Sequence, residues 1–562
     1  MSLTKKSGQH TIHVSPWTVD LGVITTGNLA SFMIESPNIA ENLDKKLFID
    51  ASAPSTNYLT GADIIEKTQQ LSHLLKTKYG VRENDVVCLW LFNSIYLPVL
   101  HYAVLGLGGI VSPANVGYLP NELNHQLNVS QAKIIISDAI LVDKAKEAAS
   151  MSDTNVSHII SYDEILEGLA ATTEKQPPLY ISPEEAKSRH AYYCFSSGTS
   201  GAAKGVITTH YNLSSNVIQT KAVGEVIYGQ DNIFGAVLPM SHIFGLQTFV
   251  YSCPYSAHTT VVFRQFNLEL VLQKTSELKI NFFHIVPPIA VLFAKSPLID
   301  QYPDVKKHIK QFVSGAAPLS KALANAVTNR IGCRIHQAYG LTETSPVTHF
   351  FSYNLDTYDL SGVGWLVPGV EARLVDENGE HVHDFDSPGE LVMRGPNIMK
   401  GYLRNPQATR DAFTDETLEW FKTGDVAVIK PDGQYQIVDR FKELIKSKGH
   451  QVAPAELEAI LLTHPDVADV AVTGFHVPEE GTELPRAFIV LKPGTGTGDA
   501  GTDALAVKKW FDTRVARHKQ LWGGIVLLLE VPKSPSGKIL RRMLRSRTDD
   551  FAHGYTKVKS KL

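Results

Sequence analysis

The sequence predicts an α/β protein with mainly parallel sheets, because short apolar runs of strand length alternate with helical patterns along the chain. The clearest helix is expected over residues 60–78, where Ile64, Leu71, Leu74 and Leu75 fall on one face. Continuous apolar runs with the length of buried strands occupy residues 86–92, 132–137, 233–238, 282–286 and 310–314. Strands that are apolar on both faces are typical of parallel sheets covered by helices.

A second, smaller domain is expected after residue 440, where the pattern changes. A helix is predicted at residues 453–463, with Pro454 in its first turn, and another at 503–518. A strand is predicted just before the change, at residues 434–438, and further strands follow it at 470–474, 487–491 and 525–529. The pattern therefore predicts a large domain at residues 1–438, a boundary at 439–442, and a compact domain at 443–562.

Composition excludes several classes of protein. The 562 residues include 53 Lys and Arg against 57 Asp and Glu, a formal charge of −4 that gives no sign of a nucleic-acid partner. An anionic small ligand needs only a local basic patch and stays possible. Because the cysteines are far apart and form no C-x-x-C pair, they indicate neither a disulfide framework nor a thiolate zinc site. They are Cys88, Cys194, Cys253 and Cys333.

Both chain ends bear on localisation. The first residues carry charge without an apolar core, so they do not predict a secretory signal. The most apolar stretch, residues 95–114, is interrupted by Pro98 and several glycines and predicts a buried helix followed by a strand, not a membrane span.

The final tripeptide, Ser560-Lys561-Leu562, matches the peroxisomal import address, which a receptor reads on an exposed tail. We therefore expect a peroxisomal protein with the import receptor as a partner, against the alternative of a chance polar tail.

A glycine- and hydroxyl-rich loop is the first motif that carries chemistry. It follows a predicted strand at residues 192–195 and contains three glycines, four hydroxyls and one lysine between Ser196 and Val206. Glycines let the backbone turn tightly and point N–H groups inward, which suits nucleotide phosphates. The spacing is not that of the P-loop G-x-x-x-x-G-K-[ST].

This loop resembles the signature of the adenylate-forming superfamily, which includes acyl-CoA synthetases, 4-coumarate:CoA ligases, firefly luciferases and peptide-synthetase adenylation domains. Ser200 stands where that family usually has Thr, and Ala203 where it has Pro. The chain looks most like a peroxisomal 4-coumarate:CoA ligase-like enzyme. The resemblance implies a large N-terminal domain of layered α/β sheets with a small β-rich subdomain, and a small mobile α+β C-terminal domain.

Further segments resemble the family's motifs in the same order along the chain. They are residues 239–242, which end in His242; 314–318; 337–344, with Ala338 in place of the usual Gly; 423–425; 439–442; 446–458; and 532–542. The resemblance assigns ATP and AMP binding to Ser196, Ser197, Gly198, Thr199, Ser200, Gly201, Lys204, Gly315, Ala316, Ala317, Gln337, Ala338, Tyr339, Gly340, Thr342, Asp425, Arg440 and Lys538.

The resemblance also implies individual roles. Tyr339 would stack on adenine, Thr342 would contact the transferred phosphate, and Glu343 would hold Mg²⁺. Asp425 would accept hydrogen bonds from the ribose hydroxyls, and Arg440 would reach the ribose or a phosphate. Lys538 matches the catalytic lysine of the first half-reaction.

For the second half-reaction the resemblance implies a different face of the C-terminal domain. Lys446 and Gln451 would then face the adenylate, while Lys448 and Gly449 would bind CoA along the pantetheine tunnel. Lys442 matches the hinge about which the domain rotates. The predicted enzyme is thus an ATP-dependent acid–CoA ligase that uses ATP, Mg²⁺ and coenzyme A and forms an acyl-AMP intermediate.

The acid substrate is less sharply predicted. The acyl-pocket residues implied by the resemblance are His242, Phe244, Thr248, Ala316, Ala338 and Val347, a mixture that favours an aryl or medium-chain acid. A luciferase-like oxygenase shares these motifs and stays an alternative. An adenylating enzyme that delivers to a carrier protein is another, although no carrier domain is expected after Lys538. A non-enzymatic binding protein is disfavoured because Lys538, Glu343 and Asp425 are all present.

Overall fold

A computed structural model describes residues 3–7, 10–196, 203–224, 232–351, 359–440, 443–447, 450–477, 482–534, 537–547 and 550–555. Within these residues, three seven-stranded sheets form most of the N-terminal part, and a three-stranded sheet with helices follows it. This mixed α/β architecture confirms the predicted fold class.

The first sheet carries the strands on either side of the glycine-rich loop. Its strands, in spatial order, are Gly401–Tyr402, Lys204–Thr209, His190–Ser196, Ile110–Pro113, Val86–Trp90, Ile134–Ser137 and His158–Ser161. The five strands from His190–Ser196 onward pair in parallel. The first three pair antiparallel, so the loop joins two neighbouring strands.

The second sheet presents the other motif segments. Its order is Arg334–Gln337, Gln311–Ser314, Phe282–Ile285, Ile233–Ala236, Thr259–Val262, Lys46–Asp50 and Tyr58–Thr60, parallel except for the last pair. Gly315 and Ala338 directly follow two of these strands. They therefore lie at the carboxyl edge of a parallel sheet, where α/β proteins bind ligands.

The third sheet is antiparallel. The prediction of mainly parallel sheets is therefore correct for the first two sheets and wrong for this one. It consists of Thr4–Ser7, His10–Val14, Glu371–Val375, Gly389–Arg394, Phe421–Ile429 and Tyr435–Arg440, with His381–Val382 beside Glu371–Val375. A small antiparallel sheet of Tyr339–Gly340, Val347–Phe350 and Trp365–Leu366 lies nearby. These two sheets agree with the β-rich subdomain implied by the resemblance.

Helices cover the sheets of the N-terminal part. They are Leu29–Ile34, Pro37–Ala40, Gly61–Thr77, Leu97–Gly106, Pro120–Ser130, Val142–Ser150, Tyr162–Ala171, Pro183–Ala186, His210–Val223, Ile243–Gly245, Cys253–Tyr255, Leu268–Leu278, Pro287–Lys295, Val305–His308, Lys321–Ile331 and Pro406–Asp411, with a π-helical turn at Leu246–Ser252. Helix Gly61–Thr77 begins with a capping box between Thr60 and Asp63 and buries the predicted apolar face. Short 3₁₀ turns lie at Leu21–Val23, Ala139–Leu141, Pro297–Gln301 and Thr342–Thr344.

The C-terminal part begins after strand Tyr435–Arg440. A hairpin of Ile445–Ser447 and His450–Val452 precedes a sheet of Val467–Val477, Thr482–Leu491 and Ile525–Leu527. Its helices are Pro454–Leu461, Ala500–Asp512 and Arg541–Arg545, with a 3₁₀ turn at Arg517–Lys519. Its own apolar core, separate from that of the N-terminal part, includes Leu457, Val472 and Phe511.

One predicted helix is too long. The helix expected to reach residue 518 ends at Asp512. The Asp512 carboxylate accepts a hydrogen bond from the Leu521 N–H, and its carbonyl accepts one from the Gln520 side chain. These bonds reverse the chain and bury Leu521, which the helical pattern alone could not indicate.

Other predictions from composition agree with the structure. The apolar stretch 95–114 forms the buried helix Leu97–Gly106 and strand Ile110–Pro113. Among the described residues, no helix is long and apolar enough to cross a membrane. All four cysteines are free and buried, and burial raises the thiol pKa of Cys88 and Cys194 to about 12.

Candidate active site

A cavity of about 830 Å³ lies where the carboxyl edge of the second sheet meets the loop strands of the first and a turn of the C-terminal part. It brings together most of the predicted residues that the structure describes. Those lining it are Ser196, Lys204, His242, Phe244, Gly315, Ala316, Ala338, Tyr339, Gly340, Thr342, Glu343, Val347, Arg440 and Lys538. Residues as far apart in the chain as Ser196 and Lys538 therefore line one cavity.

Several predicted residues lie outside the described part of the chain, so their roles stay predictions. They are Ser197, Gly198, Thr199, Ser200 and Gly201 of the loop, Lys442 of the hinge, Lys448 and Gly449 of the CoA site, and the terminal Ser560, Lys561 and Leu562.

Tyr339 and Arg440 line the cavity, and Asp425 lies behind them. The Tyr339 hydroxyl donates to Asp425 Oδ2 at 2.5 Å, and Arg440 Nε lies 3.3 Å from Asp425 Oδ1. Burial raises the pKa of Asp425, while the positive charge of Arg440 opposes that shift. Asp425 is only 4% exposed and lies behind the Tyr339 hydroxyl, so it holds the ring of Tyr339 in place at the cavity wall.

The turn before Asp425 is fixed by local chemistry. Gly424 adopts φ +72°, a conformation that glycine accepts without strain. The hydroxyl of Thr423 accepts the N–H of Asp425 and donates to the carbonyl of Leu391. The T-G-D sequence thus aims the carboxylate at Tyr339 and Arg440.

Lys538 enters the cavity from the C-terminal part. Its N–H donates to Ser534 Oγ, and its carbonyl accepts the N–H of Ser534, which closes a tight turn. At Gly537 a Cβ atom would lie 3.0 Å from Cδ of Pro288, so this turn packs directly against the N-terminal part. Burial and the nearby charge of Arg440 lower the pKa of Lys538 to about 8.

Lys446 and Gln451 lie elsewhere. They face each other across the hairpin of Ile445–Ser447 and His450–Val452, both are exposed, and neither lines the cavity. Lys538, not Lys446, therefore occupies the cavity in this arrangement of the two parts. It is the arrangement that the resemblance implies for adenylate formation.

His242 and Phe244 line another part of the cavity wall. His242 Nδ1 accepts the N–H of Phe244 at 3.3 Å, which leaves Nε2 to carry the proton of the neutral ring. Burial, with a contribution from Lys538, lowers the pKa of His242 to about 4, so this ring is neutral at pH 7. The Phe244 ring packs edge-on against His284, 5.7 Å between centroids.

Val347 also lines the cavity and is held by a buried amide. Asn216 accepts the N–H of Val347 and donates to its carbonyl, at 3.1 and 2.7 Å. Asn397 donates to the carbonyl of Thr344 in the preceding turn. No sequence motif indicated these two asparagines, because their role depends on partners more than 50 residues away.

Besides Asp425, Lys446 and Gln451, three more predicted residues do not line the cavity. Thr248 is 2% exposed within the π-helical turn, which winds it into the core instead of the acyl pocket. Gln337 uses both ends of its amide on the main chain, accepting from Leu319 and donating to Leu360. It supports the turn at residues 314–319 from behind, and Ala317 in that turn also lies outside the cavity lining.

The cavity also has lining residues that the motifs did not indicate. Tyr402 donates to Glu343 Oε1 at 2.8 Å, and Lys204 Nζ lies 4.6 Å from the centre of its ring. Glu390 and Lys422 line the side near Thr423. No motif in the sequence links Tyr402 to Lys204, so the sequence alone could not predict that these two residues lie together.

Glycine at position 315 is required by the ring of Phe244. A Cβ atom at Gly315 would lie 3.1 Å from Phe244 Cε1 and 3.2 Å from Cζ. We expect Gly315→Ala to push the ring into the acyl pocket, because an extra methyl in a packed site costs about 1–3 kcal/mol. Steady-state kinetics should show the KM for the acid rising about ten-fold, and by more than the KM for ATP. Equal increases in both KM values would contradict this placement of Phe244.

Comparison with known proteins agrees with this geometry. The family model described as AMP-binding enzyme matches residues 38–403, and the one described as AMP-binding enzyme C-terminal domain matches residues 456–538. The chain belongs to the AMP-binding enzyme family. The resemblance to adenylate-forming enzymes is thereby confirmed, as is the prediction of an ATP-dependent, AMP-forming acid–thiol ligase that works through an acyl-adenylate.

Relatives of the chain are similar along most of its length. The 4-coumarate–CoA ligase 1 of Solanum tuberosum is 35% identical over 528 residues, which cover 91% of this chain and 92% of that protein. The 4-coumarate–CoA ligase of Pinus taeda is 34% identical over 524 residues, 91% of this chain and 93% of that protein. ATP-bound MatB from Rhodopseudomonas palustris has the same fold, with a TM-score of 0.81 at 24% identity over 93% of this chain and 99% of that chain.

Proposed function

We propose that this chain ligates an aryl or medium-chain carboxylic acid to coenzyme A in two steps. The acid and ATP give acyl-AMP and pyrophosphate, and CoA then displaces AMP to give the acyl-CoA thioester. The observation that carries the proposal is the position of Lys538, which lines one cavity together with Tyr339, Arg440 and Phe244. The residues expected to contact the nucleotide and those expected to contact the acid thus share one cavity with the same cation, Lys538.

In the first step an oxygen of the carboxylate attacks the α-phosphorus of ATP, and the bond to pyrophosphate breaks. The attack gathers negative charge on the transferred phosphoryl oxygens, which positioned cations and hydroxyls stabilise. Lys538, Lys204 and the Thr342 hydroxyl are the cavity groups suited to that work. The acid is its own nucleophile, so no side chain forms a covalent bond.

Glu343 suits a magnesium ion. It lines the cavity near Lys204 and Thr342, and Mg²⁺ in nucleotide sites is held by one or two carboxylates together with substrate phosphates. When bound, the ion would neutralise phosphate charge. Glu343 would hold it with the carboxylate oxygen that does not bond Tyr402.

In the second step the CoA sulfur attacks the acyl carbonyl carbon, and the bond to AMP breaks. Lys538 has to leave the cavity before pantetheine can reach that carbon on the same side. We expect the C-terminal part to rotate about Lys442 and present the exposed pair Lys446 and Gln451.

The pocket chemistry supports the acid class. Phe244 and Val347 offer apolar surface, Ala316 and Ala338 leave room beside them, and neutral His242 presents a single N–H donor. This lining favours a flat or slender apolar acid with one charged end. The relatives named 4-coumarate–CoA ligases are consistent with it.

The experiment that tests the proposal is thioester detection by mass spectrometry. The purified chain receives ATP, Mg²⁺ and CoA with a panel of cinnamic, phenylacetic, benzoic and C6–C16 fatty acids. A CoA-dependent product from one acid group establishes the ligase and its substrate class. Acyl-AMP and pyrophosphate without a thioester across the panel would refute CoA transfer and favour a luciferase-like oxygenase, tested by O₂ consumption, or delivery to a carrier protein.

We also propose peroxisomal import through Ser560-Lys561-Leu562. A fluorescent protein fused to the N-terminus should bring the whole chain to peroxisomes, and deletion of these three residues should leave it in the cytosol. Replacement of Leu562 by Met, a side chain of similar size and polarity, is the matched conservative control. Unchanged peroxisomal localisation after the deletion would contradict the proposal.

A further inference from the structure

Tyr402 contacts two oppositely charged groups of the phosphate side of the cavity at once. Its hydroxyl donates to Glu343 Oε1 at 2.8 Å, and the ammonium of Lys204 lies 4.6 Å from its ring centre. All three side chains line the cavity. A cation over a tyrosine ring is attracted to the ring face, so each contact is favourable by itself.

The main chain around Tyr402 fixes its position. Tyr402 pairs with Val206 across the sheet, and the N–H of Leu403 donates to the carbonyl of Gly205. The N–H of Tyr402 donates to Thr409 Oγ1 at 2.9 Å. The phenol therefore approaches Glu343 from strand Gly401–Tyr402, which is paired to the strand that begins at Lys204.

Glu343 is held by the same segment through its backbone. Its carbonyl accepts the N–H of Met399 at 2.8 Å, and its side chain is 8% exposed. With Oε1 bonded to the phenol, Oε2 is the carboxylate oxygen left to face a ligand.

We propose that Tyr402 is a positioning residue for MgATP, orienting the Glu343 carboxylate through its hydroxyl and the Lys204 ammonium through its ring. This inference rests on the proposed function, since MgATP is the ligand that both charges would meet. The two contacts use different parts of one side chain and can therefore be removed separately.

Tyr402→Phe removes the hydroxyl and keeps the ring. A hydrogen bond to a charged group is worth roughly a ten-fold or larger change in an equilibrium constant. We expect the Kd for MgATP, measured by calorimetry without acid, and the KM for MgATP to rise about ten-fold, and the half-saturating Mg²⁺ concentration to rise with them. The KM for the acid should not change. Tyr402→Leu should weaken MgATP binding further, because it also removes the ring beneath Lys204.

Two comparisons separate positioning from packing. In a Glu343→Gln background, Tyr402→Phe should add little to the loss, because the charged acceptor is already gone. Tyr193→Phe is the matched control, because it removes a buried phenol that bonds His190 of its own strand, His190–Ser196, and MgATP binding is expected as in the wild type.

The inference is overturned if Tyr402→Phe binds MgATP like the wild type, if the KM for acid rises equally, or if Tyr193→Phe gives the same loss. A wild-type chain that binds MgATP but forms no thioester refutes the proposed function instead. The calorimetric comparison of the two phenylalanine variants still decides the role of Tyr402 in that case.

Discussion

Lys538→Ala should abolish adenylate formation and spare thioester formation from supplied acyl-AMP. Lys538 is the cation that the C-terminal part inserts into the cavity, near Arg440. Loss of one preorganised electrostatic group at a developing charge costs about 10²–10³ in rate. ATP–pyrophosphate exchange measures the first step, and mass spectrometry with synthetic acyl-AMP and CoA measures the second.

The control for this variant is Lys509→Ala, an exposed lysine in helix Ala500–Asp512 of the same part of the chain. It should leave both steps as in the wild type. Equal loss of both steps in Lys538→Ala would show that Lys538 supports the C-terminal part in general. It would also remove the reason to assign the present arrangement to adenylate formation.

The same lysine sets an expected pH dependence. Its pKa is lowered to about 8, so in the free enzyme the charged form is present below pH 8 and is lost as the pH rises through that value. The kcat/KM of adenylate formation, which reports free-enzyme pKa values, should therefore fall above about pH 8. Lys538→Arg keeps its charge and should lose this alkaline decline even if its overall rate is lower.

Sequence reasoning identified the cavity residues better than it identified what each one does. Tyr339, Asp425 and Lys538 were found because each stands within a recognisable string. Gln337 stands in the same string as Tyr339, but it ends strand Arg334–Gln337, whereas Tyr339 begins the next strand, and its side chain supports the main chain behind the cavity. A motif gives residue identities, whereas the direction of each side chain depends on the strand that carries it.

Pairing between distant segments explains what the sequence could not predict. Tyr402 meets Lys204 only because Gly401–Tyr402 adds to a strand almost 200 residues earlier in the chain. Thr248 was expected in the acyl pocket, but a π-helical turn changes which face it occupies. The parallel sheets could be predicted because continuous apolar runs report burial on both faces. The third sheet could not be predicted, because no local pattern in the sequence indicates the order in which its antiparallel strands pair.

Arg541→Ala should destabilise the C-terminal part by about 3–5 kcal/mol, the cost of leaving buried charges without their partner. Its guanidinium donates to Glu443 Oε2 at 2.7 Å and to both oxygens of Glu458 at 2.7 and 2.8 Å. The three side chains are 12%, 6% and 10% exposed, so water cannot replace the arginine effectively. Denaturant unfolding monitored by intrinsic fluorescence measures the loss.

Arg541 also joins two segments that must act together. Glu443 follows the predicted hinge residue Lys442, and Arg541 stands three residues after Lys538. One guanidinium thus ties the start of the C-terminal part to its catalytic turn and to helix Pro454–Leu461, which carries Glu458. We therefore expect Arg541→Ala to slow both half-reactions, in contrast to the selective loss in Lys538→Ala.

The two arginine neighbours allow a sharp comparison. Arg542→Ala removes an exposed side chain and should change neither stability nor rates. Arg541→Lys keeps a charge but cannot bond both carboxylates in the same fork geometry, so its stability should fall between those of Arg541→Ala and the wild type. A loss below 1 kcal/mol in Arg541→Ala, or a defect confined to adenylate formation, would contradict this account. The first result would mean that the two glutamates reach water without Arg541, and the second that the hinge segment is held by other contacts.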